Sequence, residues 1–538
     1  MTQLTGGQAI VQSLKAYGVD TIFGLPGVQL DNMFDALYEE RDAIRVIHTR
    51  HEQTAAYMAF GYAQATGKVG VCLVVPGPGL LNAAAGICTA YACNSPVLCI
   101  SGQIPSDQID VGMGALHEIH DQLGMIRHIT KWAERIESPA AAPAIVREAM
   151  RQLHTGRIRP VEIEMSPDIM GQRAEVELLP AITAWDRPEI DHEAIDRAAR
   201  LLGAAERPAI LAGGGAMDGG AALQELAETL QAPVIMTHNG RGALSDRHPL
   251  ALTMLGGYKM WAEFDAVLVV GSRFERPRTD WGTTGMQVVR MDIDPEELDR
   301  LDTPAVGIVA DAPRGLAALA ERVVRYNRVR PSRSADVAAV KEQVADLLFE
   351  QQPLAEAVDA VRAELPDDGI FVPDITQFGA YAEIGMPVYQ PRTYIGAGYQ
   401  GTLGYGFATA LGVKVAHPER VVVAACGDGG FMYTMPDLAT AYQHGINLIT
   451  IVNNDGAFGN VKRIQQTRYG GRQIASDLVN PDFVKLAESF NIAARRAVGP
   501  AQLREALREG MSLNAPMLIE YPSPLMPMVR QLTRGRVR

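Results

Sequence analysis

Short runs of Val, Ile, Leu and Ala recur along the chain, separated by longer stretches in which apolar residues return every three or four positions. A strand covered on both faces gives the first pattern and a helix lying on it gives the second. The alternation therefore predicts parallel sheets wound with helices on both sides. Three regions separate on this basis. Residues 1–170 hold expected strands at 69–75, 97–100 and 160–165, and the polar, proline-containing stretch 171–188 reads as a linker. Residues 188–327 hold expected strands at 208–211, 234–236, 266–270 and 288–293, with 328–334 as the next connector. Residues 350–525, with a C-terminal tail, hold expected strands at 370–373, 420–426 and 446–452. The expected fold class is α/β, with three doubly wound parallel-sheet domains.

Composition supports this picture and narrows the partners. At 538 residues and 47% hydrophobic content, there is material for a core in each region. A net charge of −13 argues against nucleic acid or an anionic membrane surface as partner. The 5 cysteines include no Cys-x-x-Cys pair, so a reducing cytoplasm is expected rather than a disulfide framework. The opening Met1-Thr2-Gln3-Leu4-Thr5-Gly6-Gly7 has no basic segment leading into an apolar one, and no run is long enough to span a bilayer.

Chemistry collects where apolar runs end. One run ends in Gly427-Asp428-Gly429-Gly430 and the next in Asn453-Asn454, with room between them for one helix and one strand. Asp428 offers a hard anionic oxygen and Asn454 a neutral amide oxygen, the ligand types magnesium takes alongside phosphate oxygens and water. Glycines at 427, 429 and 430 let backbone N–H groups approach a diphosphate. Either motif alone reads as an ordinary turn. Ordered at two consecutive strand ends, they read as a clamp.

With this pair the chain resembles the thiamin-diphosphate enzymes of the acetolactate synthase, pyruvate oxidase and decarboxylase superfamily, the acetolactate synthase large subunit in particular. The resemblance implies a pyrimidine-binding domain, a middle domain of transhydrogenase dIII type and a diphosphate-binding domain. Asp428, Asn454 and the carbonyl of Gly456 would hold Mg²⁺ beneath thiamin diphosphate. In Tyr399-Gln400-Gly401-Thr402-Leu403-Gly404, Gly401 would face the cofactor rings and Leu403 would be the wedge that keeps it bent. In Arg50-His51-Glu52-Gln53, Glu52 corresponds to the glutamate that fixes the tautomer of the aminopyrimidine ring. The His-Glu pair is no zinc-protease helix, because the second histidine that motif needs is replaced by Ala55. Pro26 and Gly27, then Pro76 and Asn82, extend the cofactor-binding set, and Gln103 of Ser101-Gly102-Gln103 would lie beside the reaction centre.

What the resemblance implies for function is decarboxylation of a 2-oxo acid, followed by transfer of the activated aldehyde to an acceptor carbonyl. A plain decarboxylase, which protonates instead, is the alternative; a catalytically silent nucleotide-sensing or assembly protein ranks below both. His117 and His120, with Lys462 and Arg463, are candidates for handling protons and the substrate carboxylate, and His117 is placed in the catalytic set. Glu52 and Asp428 come from different subunits in this superfamily, which implies an obligate homodimer, assembled into a homotetramer, with half a site per monomer. Three departures concern the substrate and a second cofactor. Ile464 stands where acetolactate synthases have a tryptophan, and residues 116–124 replace their Phe-Gln-Glu pattern. Arg273-Phe274-Glu275-Arg276 only partly matches a flavin-contacting segment, which makes FAD the weakest of the cofactor expectations.

Overall fold

A computed structural model describes residues 1–538. Three sheets, each parallel throughout, carry the three regions. The first has 6 strands in the order Arg45–His48, Thr21–Gly24, Gly70–Val74, Val97–Gly102, Val161–Met165 and Trp132–Arg135. The middle sheet, also of 6, runs Ala251–Thr253, Val234–Met236, Pro208–Ala212, Ala266–Val270, Gln287–Asp292 and Val306–Val309. The last has 5, ordered Ile370–Pro373, Val422–Gly427, Ile449–Asn454, Met517–Pro522 and Ala493–Arg496. Central strands such as Gly70–Val74, Ala266–Val270 and Val422–Gly427 are uninterrupted apolar runs, because helices cover both faces. Edge strands such as Arg45–His48 and Ala493–Arg496 are short and mixed in polarity, since one side meets solvent.

Two expectations need correction. The stretch 171–188 is not wholly a linker: Arg173–Val176 pairs antiparallel with Thr2–Thr5, an N-terminal segment too polar to read as a strand without its partner. Nor does each region keep a core to itself. One cluster of 79 buried apolar residues runs from the middle region into the third, and another of 44 joins the third to the first.

That second cluster centres on a helical seam. Helix Glu52–Thr66 lies against helix Tyr405–Ala416 so closely that a Cβ on Gly61 would stand 2.2 Å from the Thr409 carbonyl oxygen. One on Gly412 would stand 2.0 Å from that of Met58. Only residues without a side chain allow this approach. Polar bonds extend the seam: the Arg50 N–H donates to Asp437 Oδ1 at 2.7 Å, and Thr440 Oγ1 to the His48 carbonyl at 3.3 Å. No helix is long and apolar enough to cross a membrane.

Candidate active site

Strands Val422–Gly427 and Ile449–Asn454 are neighbours, with Gly427 opposite Asn453, so Asp428 and Asn454 leave the same carboxyl edge together. This is the edge at which open α/β sheets bind ligands. Asp428 opens the short helix Asp428–Phe431 and accepts the N–H groups of Gly429 and Gly456, both at 2.8 Å. Asn480 Nδ2 lies 2.6 Å from Asp428 Oδ2 and 2.9 Å from Asn454 Oδ1. Two oxygens from different strands therefore aim at one positively polarised group. A small hard cation at that point would find the same two oxygens, so the residues present fit magnesium. The Gly456 carbonyl accepts Leu478 N–H at 2.8 Å and keeps a second lone pair for a cation.

The orientation of Asn454 is itself held. Its Nδ2 donates to Glu520 Oε1 at 2.9 Å, which leaves Oδ1 toward the site, and Arg496 Nε holds the other Glu520 oxygen at 2.8 Å. Burial pushes the Asp428 carboxyl above its ordinary range. Burial, with the Asp428 charge next in size, pushes neighbouring Asp455 up to about 6. A bound cation would relieve both. No cluster of three His, Cys, Asp or Glu side chains is placed to hold a metal, so this mixed Asp, Asn and carbonyl set is the oxygen-rich kind that suits magnesium rather than zinc.

The segment expected to carry the wedge lies beside this edge, where a Cβ on Gly430 would stand 3.8 Å from Leu403 Cδ2. Leu403 is 36% exposed, with Gly401 and Gly404 on either side in left-handed conformations. Three side chains of the first domain grip it: Gln53 Nε2 donates to the Leu403 carbonyl at 3.3 Å, Thr89 Oγ1 lies 3.3 Å from Thr402 Oγ1, and the Tyr57 hydroxyl bonds the same oxygen. From below, buried Asp374 accepts the Ile375 N–H at 2.8 Å and packs against Gly406 and Gly430. Burial lifts its carboxyl to about 6.

Glu52 is the first residue of its helix, whose end is capped by His51 accepting the Gln53 N–H at 3.1 Å. It is 8% exposed and accepts Asn82 Nδ2 at 3.0 Å. Its sequence neighbour Gln53 bonds the Leu403 carbonyl of the same chain, and the glycine seam docks the first domain on the third.

The remaining candidates divide. Pro76 is buried and Pro26 exposed, while Gly27 packs on Val75 at the same edge of the first sheet. Gln103 is buried with both polar ends engaged: Oε1 accepts Ile104 N–H at 2.8 Å, and Nε2 donates to Glu164 at 3.3 Å. His117 sits in a left-handed turn, its carbonyl against Gly77 and its Nδ1 without a partner, whereas His120 is exposed. Lys462 pairs with Asp477 and Arg463 donates to the Met526 carbonyl, so both cations already have structural partners. Asn480, Glu520 and Asp374 were missed by sequence reasoning. A carboxylate inside the apolar run 517–521 was a usable signal for Glu520, and Asp374 ends a strand as Asp428 does.

Sequence comparison bears directly on this geometry. Models of the N-terminal, central and C-terminal domains of thiamine pyrophosphate enzymes match residues 4–125, 195–319 and 374–521. A probable acetolactate synthase large subunit of Methanocaldococcus jannaschii is 35% identical, the alignment covering 98% of this chain and 93% of that protein. The chain belongs to the thiamine pyrophosphate enzyme family. Within it, a probable 2-ketoarginine decarboxylase of Pseudomonas aeruginosa is 34% identical over 96% of this chain and 94% of its own. The large subunit of acetolactate synthase isozyme 1 from Escherichia coli is 31% identical, with 96% and 93% covered. This thiamine pyrophosphate enzyme thus has relatives named as acetolactate synthases and one named as a probable 2-ketoarginine decarboxylase. The strand order of its middle sheet reverses between Pro208–Ala212 and Ala266–Val270, where a nucleotide crevice would open. There the Gly215 N–H bonds the Gly271 carbonyl at 3.2 Å, so the two loops touch.

Proposed function

We propose that this chain, with Mg²⁺ and thiamin diphosphate bound, decarboxylates a 2-oxo acid and passes the activated aldehyde to an acceptor carbonyl. The observation that carries the reading is the convergence of Asp428 Oδ2 and Asn454 Oδ1 on one point at the edge facing Leu403. When bound, the cofactor supplies a nucleophilic carbon and an electron sink for the departing carboxylate. Asp428, Asn454 and the Gly456 carbonyl would hold the cation, and Gly429 and Gly430 would offer N–H groups to the diphosphate. Leu403 would pack against the cofactor rings, and Glu52, oriented by Asn82, would hold a proton at the aminopyrimidine nitrogen. The buried walls around Glu52 and Asp374 exclude water.

A second reading, plain decarboxylation, is favoured by Ile464 in place of an aromatic wall and by the unpartnered Nδ1 of His117. Incubation with both cofactors and a panel of 2-oxo acids, with products identified by mass spectrometry, separates the two. Hydroxyketone products support transfer; aldehyde alone overturns it. The reading includes a homodimer and a tetramer built from it, supported by exposed Tyr433, Tyr469, Ile474 and Val479 on the third domain. Mass photometry of the holoenzyme checks this. Flavin absorbance of the native protein decides whether the middle domain carries FAD.

A further inference from the structure

Beneath the loops of the first domain lies a buried polar network that the reaction does not use directly. Glu164 is fully buried and accepts Arg135 Nε at 2.6 Å, Gln122 Nε2 at 2.8 Å and Gln103 Nε2 at 3.3 Å. Gln122 is 1% exposed and spends its whole amide on neighbours. Its Oε1 accepts the Gly77 N–H at 2.8 Å. Its Nε2 faces Glu164, the Gly102 carbonyl at 3.0 Å and Ser101 Oγ at 3.2 Å. The loop before it is tied to the same place, because the His117 carbonyl packs on Gly77 and Gln29 Nε2 donates to the Leu116 carbonyl at 3.0 Å.

We propose that Gln122 is a positioning residue: anchored on Glu164, its amide fastens Pro76-Gly77, Gly102-Gln103 and the His117 loop in one register around the aminopyrimidine end of the site. Two segments that leave different elements, Pro76-Gly77 and Ser101-Gly102, meet at this one amide, and the His117 loop joins them through its packing on Gly77. An apolar residue of the same size would leave the Gly77 N–H unpaired and take from Glu164 Oε2 its 2.8 Å bond, in a buried place where an unmade bond is costly. The groups facing Glu164 are Arg135, Gln103, Gln122 and, on its own strand, Glu162, which Ser101 Oγ holds at 2.7 Å. Burial, and the neighbouring Glu164 after it, push the Glu162 carboxyl well up, so it adds little repulsion.

The catalytic consequence rests on the proposed function; the fastening itself does not. Gln122→Met and Gln122→Glu are compared with wild type as full-length holoenzymes. In Gln122→Met, hydrogen exchange is expected to rise about tenfold in peptides covering 75–82, 101–105 and 112–121, the equivalent of one lost hydrogen bond, and to stay unchanged at 426–432. In the same variant, kcat/KM for the 2-oxo acid is expected to fall about 100-fold, as a misplaced reacting geometry costs. Thiamin diphosphate affinity should stay near wild type, because the phosphate clamp is on another domain. Gln122→Glu sets two carboxyls side by side; it should work best at low pH, where one proton bridges them, and lose activity as pH rises. Faster exchange confined to helix Gln122–Arg127, or a Gln122→Glu pH profile matching wild type, overturns the proposal. Were wild type inactive on every 2-oxo acid, the proposed function would fail and the exchange pattern alone would decide the fastening.

Discussion

Gly412→Ala tests whether the glycine seam assembles the site. The added Cβ would stand 2.0 Å from the Met58 carbonyl oxygen, about 1.3 Å inside an ordinary carbon–oxygen contact of ~3.3 Å. Alanine is the better helix former by roughly 1 kcal/mol, which favours the variant. Overpacking costs about 1–3 kcal/mol, and the upper end applies because the obstacle is backbone on two helices fixed to separate sheets. The net expectation is a loss of roughly 1–2 kcal/mol, since the clash outweighs the propensity gain. Separation of the helices also strains the Gln53–Leu403 bond, already 3.3 Å long, and moves Glu52 away from the wedge. Thermal unfolding of the apo protein and titration with thiamin diphosphate measure the two effects. A lower melting temperature with weakened cofactor binding is expected. A variant more stable than wild type, binding the cofactor equally well, refutes the seam as the element that joins the walls.

Three further outcomes follow from the geometry. Glu52→Gln should lower turnover by about 10²–10⁴ while cofactor affinity changes little, checked by steady-state kinetics beside calorimetry, because proton handling is lost and shape is kept. Glu520→Gln can present an amide N–H to Asn454, freeing that side chain to turn its oxygen away; Mg²⁺ affinity should weaken, while an unchanged Mg²⁺ titration means Glu520 does not orient Asn454. Burial lifts Asp374 to about 6, above its unfolded value, so the folded chain keeps a proton that the unfolded chain has released. The stability this group contributes is complete below about pH 4 and is lost as pH rises through about 6. The unfolding free energy of cofactor-free Asp374→Asn relative to wild type should therefore grow by roughly 3 kcal/mol between pH 4 and 7.5, and a flat difference contradicts it.

The meeting of Asp428 and Asn454 was legible because its parts are local: a strand that stops in Gly-Asp-Gly and another that stops in Asn-Asn display these side chains at one edge. The parts that orient them were not. Asn480 lies in an exposed loop, and its 2.6 Å approach to Asp428 depends on how residues 456–480 fold back. Gln122 and Glu164 meet only because strand Val97–Gly102 pairs with Val161–Met165, a register that periodicity cannot supply. The central strands announced themselves by apolar runs, whereas Arg173–Val176 acquires its identity from Thr2–Thr5. Shared cores were hidden for the same reason. The residues of helix Glu52–Thr66 are buried nearly all round, since one face meets its own sheet and another meets the third domain. Gly61 and Gly412 are the marks of that contact, and alone each resembles any helical glycine.

A cation held by Asp428 and Asn454 is expected to grip thiamin diphosphate through its phosphates. Isothermal titration of the protein with thiamin diphosphate, with and without Mg²⁺, measures it most directly. Binding that requires Mg²⁺ in wild type, and that is abolished in Asp428→Ala although the variant remains folded, is the expected result. Equal affinity without the metal, or in Asp428→Ala, would mean that no cation on Asp428 grips the diphosphate.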